Sequence, residues 1–101
     1  MKDSYYIGTD LKYLIQIEAE GFSMDDDNYT IVLRCNGREI TVPKEDIVDG
    51  DNDDHYLLVD TSQFGSGMLK MIVYAEVPDD NFSDGARTEV ASFDLCELKK
   101  V

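Results

Sequence analysis

The sequence has no tryptophan, one histidine, two prolines and two cysteines, and its 9 Lys and Arg stand against 22 Asp and Glu. Each scarcity excludes something. With a formal net charge of -13, a phosphate backbone is repelled rather than bound, because nucleic-acid affinity needs clustered Lys and Arg. An anionic membrane surface is disfavoured on the same ground. Cations, basic protein surfaces and neutral ligands such as sugars remain as partners. His55 is the only histidine, so imidazole-based catalysis has one candidate and no visible partner. It reads as a strand-end surface residue. No serine or cysteine sits in a nucleophile motif, and Gly65-Ser66-Gly67 has neither the spacing of a nucleophile elbow nor the third glycine of a dinucleotide loop. The chain is therefore expected to be non-enzymatic.

Two cysteines, Cys35 and Cys96, are too few for a disulfide scaffold and read as buried free thiols. Their wide separation is like that of the paired cysteines of immunoglobulin domains, although the tryptophan that packs on that pair is missing. No apolar run reaches the roughly 20 residues of a transmembrane helix. Met1-Lys2-Asp3-Ser4-Tyr5-Tyr6 lacks the apolar core of a signal peptide, so the expected location is cytoplasmic as synthesised.

What is present is alternation. The longest apolar run, Met68 to Val77, is entered through Gly65-Ser66-Gly67 and closed by Pro78. In it Leu69, Met71, Val73, Ala75 and Val77 alternate with Lys70, Ile72, Tyr74 and Glu76, the period of a strand with one core face. The same pattern predicts strands over Leu11–Ala19, with Leu11, Tyr13, Ile15, Ile17 and Ala19 inward, and over Tyr29–Cys35, with Tyr29, Ile31, Leu33 and Cys35 inward. Asn36-Gly37 is the strongest short hairpin signal, since both residues tolerate positive φ. It joins Tyr29–Cys35 to a strand over Arg38–Val42. Lys44 to Val48 can form one turn with Ile47 and Val48 tucked inward. His55–Val59 is a further strand, Asp60 to Phe64 a single helical turn, and Arg87–Leu98 the last strand, with its alternation slipping near Ser92-Phe93. Residues 1 to 10 read as a lead-in. No segment has clean helical periodicity. One domain, residues 1–101, follows: an all-β antiparallel sandwich of about six to seven strands.

If successive strands run antiparallel, three acidic loops project from one end. They carry Asp25, Asp26 and Asp27; Asp49, Asp51, Asp53 and Asp54; and Asp79, Asp80 and Asp84. Asp25, Asp27, Asp49, Asp51, Asp53, Asp79 and Asp80 are the candidate metal ligands, because calcium takes 6–8 oxygens. The alternate spacing of Asp49, Asp51 and Asp53 matches the start of an EF-hand loop, but Asp54 stands where that loop needs glycine and Asp60 where it needs glutamate. Aspartate is also simply a good turn former. No cofactor is expected; calcium is the one weighed. On the outward faces, Leu14, Val32, Ile72 and Tyr74 are more apolar than solvated strands require and are the candidate partner-binding residues. The competing expectation is that Tyr5-Tyr6-Ile7 covers them.

Several stretches carry a resemblance: Asp10-Leu11-Lys12 opening a strand, the Asn-Gly hairpin, Tyr56-Leu57-Leu58-Val59-Asp60-Thr61, the Gly-rich entry to the long strand, and the segment from Asp79 to Val90. Together they resemble the small immunoglobulin-like sandwich modules of phage tail and baseplate proteins, of the kind found at the N-terminus of the baseplate upper protein, over about residues 8 to 98. The resemblance implies an immunoglobulin-like fold without catalytic activity. It also implies a structural role in a larger, virion-associated assembly, with protein partners or copies of itself. The alternative is a calcium- or carbohydrate-binding sandwich that uses the acidic end.

Overall fold

The computed structural model describes residues 3–101 and is all-β. Eight strands run in chain order: β1 Ser4–Tyr6, β2 Asp10–Ile15, β3 Tyr29–Cys35, β4 Arg38–Pro43, β5 Val48–Asp49, β6 His55–Asp60, β7 Gly67–Pro78 and β8 Ala86–Lys99. They form two sheets, a five-stranded one in the order β1-β8-β7-β3-β4 and a three-stranded one in the order β2-β6-β5. This is compatible with a β-sandwich. Its core joins Leu11 and Ile15 of β2 and Leu57 and Val59 of β6 to Ile31, Leu33, Leu69, Val73 and Val77 from the larger sheet.

β7 is central because it pairs with β3 on one side and β8 on the other. Its inward residues Leu69, Met71, Val73, Ala75 and Val77 are all buried. The turn between β3 and β4 is the one Asn-Gly demands: Asn36 and Gly37 have φ of 51° and 76°, the left-handed values of a type I′ hairpin. The third predicted feature, the turn after β6, is a short 3₁₀ segment at Thr61–Gln63 capped by the Asp60 side chain.

Several expectations are corrected. The N-terminal segment is not a free lead-in: β1 pairs in parallel with Glu97–Lys99 of β8, which makes the larger sheet mixed rather than purely antiparallel. The expectation for Met1 and Lys2 lies outside the described residues. The strand predicted over Leu11–Ala19 ends at Ile15, although Ile17 and Ala19 still pack against the core. Ile47 turns inward as expected, but Val48 is exposed, because it sits on β5 opposite Tyr56 on the outer face of the smaller sheet. The irregularity in β8 falls at Leu95, between the pairs Leu69–Cys96 and Lys70–Asp94, and not at Ser92-Phe93. The extra residue there lets Cys96 and Leu98 stay inward after the exposed stretch before them.

Cys35 and Cys96 are both buried and free. Register places them at one level of one sheet with Leu69 of β7 between them. Two strand spacings separate them by roughly 10 Å, beyond the reach of a disulfide. The immunoglobulin pair bridges two sheets; this pair does not. Burial first, and each other's proximity second, push the Cys35 thiol above its ordinary pKa. The Tyr13 hydroxyl lies against Cys96 and has no oxygen or nitrogen partner. Its burial drives its pKa well above that of a free phenol.

Candidate functional site

Two regions carry chemistry beyond packing: the acidic loop end and the outer face of the five-stranded sheet.

At the loop end, His55 begins β6 with its side chain inward and only 7% of the residue exposed. It is not the surface residue its position suggested. β5 delivers Asp49 to it as the directly opposite cross-strand partner. His55 Nδ1 lies 3.1 Å from Asp49 Oδ1, and Nε2 lies 3.5 Å from Asp25 Oδ1. An imidazolium donates to both carboxylates; a neutral ring donates to only one. Both aspartates remain largely solvated. Lys44 anchors the Asp25 loop from below, its Nζ donating to the carbonyls of Asp25 and Asp27 at 2.9 and 2.7 Å. The same ammonium stands 5.8 Å from the centre of the Tyr29 ring. These groups line a cleft of about 340 Å³. Burial, then the negative charge of Asp49 and Asp25, raises the Tyr29 pKa.

Of the seven predicted metal ligands, only Asp25 and Asp49 come together, and His55 joins them, the three offering atoms within 4.8 Å of one another. Asp27 accepts from the Ser23 N–H at 2.8 Å and closes its own turn. Asp51 and Asp53 lie in an exposed 3₁₀ turn over Asp51–Asp53. Asp79 accepts from the Asn81 N–H and from Arg87 at 2.7 Å, which together hold its carboxyl below the ordinary value. Asp80 is exposed. The third loop is set apart because β7 runs on past the start of β3: the Glu76 N–H still bonds to Asn28 O, but Val77 and Pro78 continue beyond. Sequence reasoning missed His55 as part of this site. The signal available was its even spacing with Leu57 and Val59, which places it on the inward face.

The outer sheet face assembles three of the four predicted partner residues. Register aligns Thr41, Val32, Ile72 and Ser92 in one row, and Pro43, Thr30, Tyr74 and Val90 in the next. On one flank runs the charged row Glu39, Arg34, Lys70 and Asp94, with Arg34–Glu39 at 2.7 Å and Lys70–Asp94 at 3.6 Å. On the other flank Thr88 Oγ1 donates to Glu76 at 3.0 Å. Val32 is buried by its neighbours, Ile72 is half-buried, and Tyr74 and Val90 are exposed. An apolar centre with a polar rim is the anatomy of a contact surface. Tyr5-Tyr6-Ile7 does not cover it: β1 sits at the far edge of β8, and Tyr5 and Ile7 pack toward the core.

Leu14 does not belong to this patch. β2 is in the other sheet, where Leu14 faces out beside Tyr56 and Val48, with Leu58 and Lys12 forming the next row. Leu14 is 61% exposed, and Lys12 Nζ lies 4.4 Å over the Tyr56 ring. This second apolar face, on the three-stranded sheet, was not foreseen, since sequence alone does not say which strands share a sheet.

Among the described residues no helix is long and apolar enough to cross a membrane. No family model, curated protein or solved structure matches the chain.

Proposed function

We propose that this chain is a non-enzymatic assembly module that docks other protein subunits on the outer face of its five-stranded sheet. The observation that carries the reading is the apolar centre formed by Val32, Ile72, Tyr74 and Val90 between a charged row and the Glu76–Thr88 pair. Burying such a face contributes about 25 cal/mol per Å² of apolar surface removed from water, with Tyr74 as a rigid aromatic anchor. The net charge of -13 favours basic partners and fast encounter with them. The resemblance to immunoglobulin-like modules of phage tails and baseplates points toward a tail-associated, virion-bound role.

The test is quantitative capture from cells that encode the protein, followed by pairwise reconstitution with the partner identified. Ile72→Lys with Tyr74→Glu is expected to abolish capture while leaving the fold intact. Equal capture by the double variant contradicts the reading.

A second reading has its own observation. Asp25, Asp49 and His55 gather three ligand-type atoms within 4.8 Å of one another, a set of two carboxylates and one imidazole that would hold a divalent cation at the loop end. A cation bound only by the native state raises stability by about 2.7 kcal/mol at a hundredfold excess over Kd. An unchanged melting temperature in millimolar calcium or in zinc contradicts this reading.

A further inference from the structure

We propose that the free edge of β8 pairs with the same edge of a second copy of this chain, antiparallel, about a two-fold axis at Val90. The inference rests on the assembly reading and names its partner.

β8 is paired by β1 only at Glu97–Lys99. Among the described residues no strand pairs with that side of Ala86 to Asp94. This stretch runs about 30 Å at ~3.4 Å per residue, and Val90 and Phe93 are 59% and 50% exposed. Native sheets block such edges with prolines, charged side chains (lysines above all), bulges or covering segments. Within 86–94 there is no proline or lysine, and the bulge at Leu95 lies just past it. The charges present are Arg87, Glu89 and Asp94, of which Arg87 and Glu89 pair with each other and Arg87 also with Asp79.

The direction of the free amides follows from two hydrogen bonds. The Glu76 N–H points to Asn28 on the β3 side, and the Asp79 N–H points to Gly85 on the β8 side. Even-numbered residues of β7 therefore face β3, and odd-numbered ones face β8. Across the ladder, Arg87, Glu89, Ala91 and Phe93 turn their backbone groups to β7, which leaves those of Thr88, Val90 and Ser92 at the open edge.

Two-fold pairing at Val90 is self-complementary. It sets Val90 opposite Val90, Thr88 opposite Ser92, Phe93 opposite Arg87, Glu89 opposite Ala91 and Asp94 opposite Ala86, so no like charges face each other directly. The two Glu89 carboxylates meet only diagonally, and each has its own Arg87 at 3.2 Å. Centring on Ala91 instead would oppose Glu89 to Phe93 and Arg87 to Leu95. The Val90 register also joins the two outer patches into one surface through Tyr74 and Ile72. Each copy carries a charge of -13, so pairing strengthens as salt screens the repulsion.

Sedimentation equilibrium of the full chain up to roughly 1 mM, the weak-binding range, tests this. A concentration-dependent dimer that tightens with added salt is expected. Val90→Pro removes an edge donor and no bond to β7, so it should give a monomer with an unchanged melting temperature. Val90→Lys, which sets two ammonium groups on the axis without touching the core, should do the same. Oxidised Val90→Cys should give a cross-linked dimer where the wild type, with its thiols buried, does not. A wild type that stays monomeric throughout, or a Val90→Lys variant that dimerises like the wild type, overturns the self-pairing. A monomer that still captures a specific partner through Ile72 and Tyr74 overturns it too, and leaves the assembly reading standing.

Discussion

β7 and β8 are the two arms of one hairpin, 12 and 14 residues long, yet they occupy different environments. β7 alternates buried and accessible residues from Leu69 to Pro78, while β8 is exposed from Thr88 to Asp94 and turns inward only at Cys96 and Leu98. Local pattern does not account for this. Ala91 and Phe93 lie on the inward face opposite Val73 and Met71, and Phe93 is as apolar as any core residue. The difference is coverage. The three-stranded sheet reaches over β7 and stops short of β8, leaving a groove of about 280 Å³ between the end of β2 and Phe93. A strand becomes core when both its edges and one face are covered, and β8 is covered so only at its last residues.

Predictions follow from that contrast. Leu69→Ala, at a fully buried site on β7, should lower stability by about 2–5 kcal/mol in urea unfolding, whereas Val90→Thr on β8 should stay within about 0.5 kcal/mol. Equal losses would erase the distinction. Thr61→Val tests what protects the end of β8. The Thr61 hydroxyl donates to Thr9 O at 2.6 Å and accepts from the Gly8 N–H at 2.9 Å, tying down the turn that follows β1. Its loss should cost about 1–3 kcal/mol and speed amide exchange at Glu97 and Lys99 without affecting residues 88–92.

A smaller effect belongs to the hairpin tip. The Asn81 N–H and Arg87 hold the Asp79 carboxyl below its usual 3.8. A depressed folded value means the stabilisation is full above that pH and is lost as pH falls through the folded value. Protection factors of the Asp79 and Arg87 amides should therefore fall below about pH 4. Asp79→Asn should remove that pH dependence and leave global stability nearly unchanged. The smallest change is Tyr13→Phe, which deletes a buried hydroxyl without an oxygen or nitrogen partner. It should be neutral or stabilising by up to about 1 kcal/mol; a clear destabilisation would mean the Cys96 thiol is a real partner.

The strands were legible in the sequence wherever one face is buried. Tyr29–Cys35 matches residue for residue, and the Asn36-Gly37 turn follows from its chemistry. Period-two patterning marks faces but not neighbours, so it could not say that Leu14 belongs to a different sheet from Val32, Ile72 and Tyr74. It could not reveal β1 either, because parallel pairing to the far end of the chain leaves no local trace. Asp25 and Asp49 were readable as candidates, but five other aspartates looked equivalent. What separates those two is the buried His55 between them, a tertiary fact.

The measurement that bears most directly on the central claim, that the outer face and open edge of the β7–β8 hairpin are an assembly surface, is amide exchange read at low and high protein concentration. The amides of Met71, Val73 and Ala75 should be protected at both concentrations. Those of Thr88, Val90 and Ser92 should exchange freely when dilute and become protected when concentrated, with Val90→Lys abolishing the change. Protection of Thr88, Val90 and Ser92 that is the same at every concentration would contradict the account.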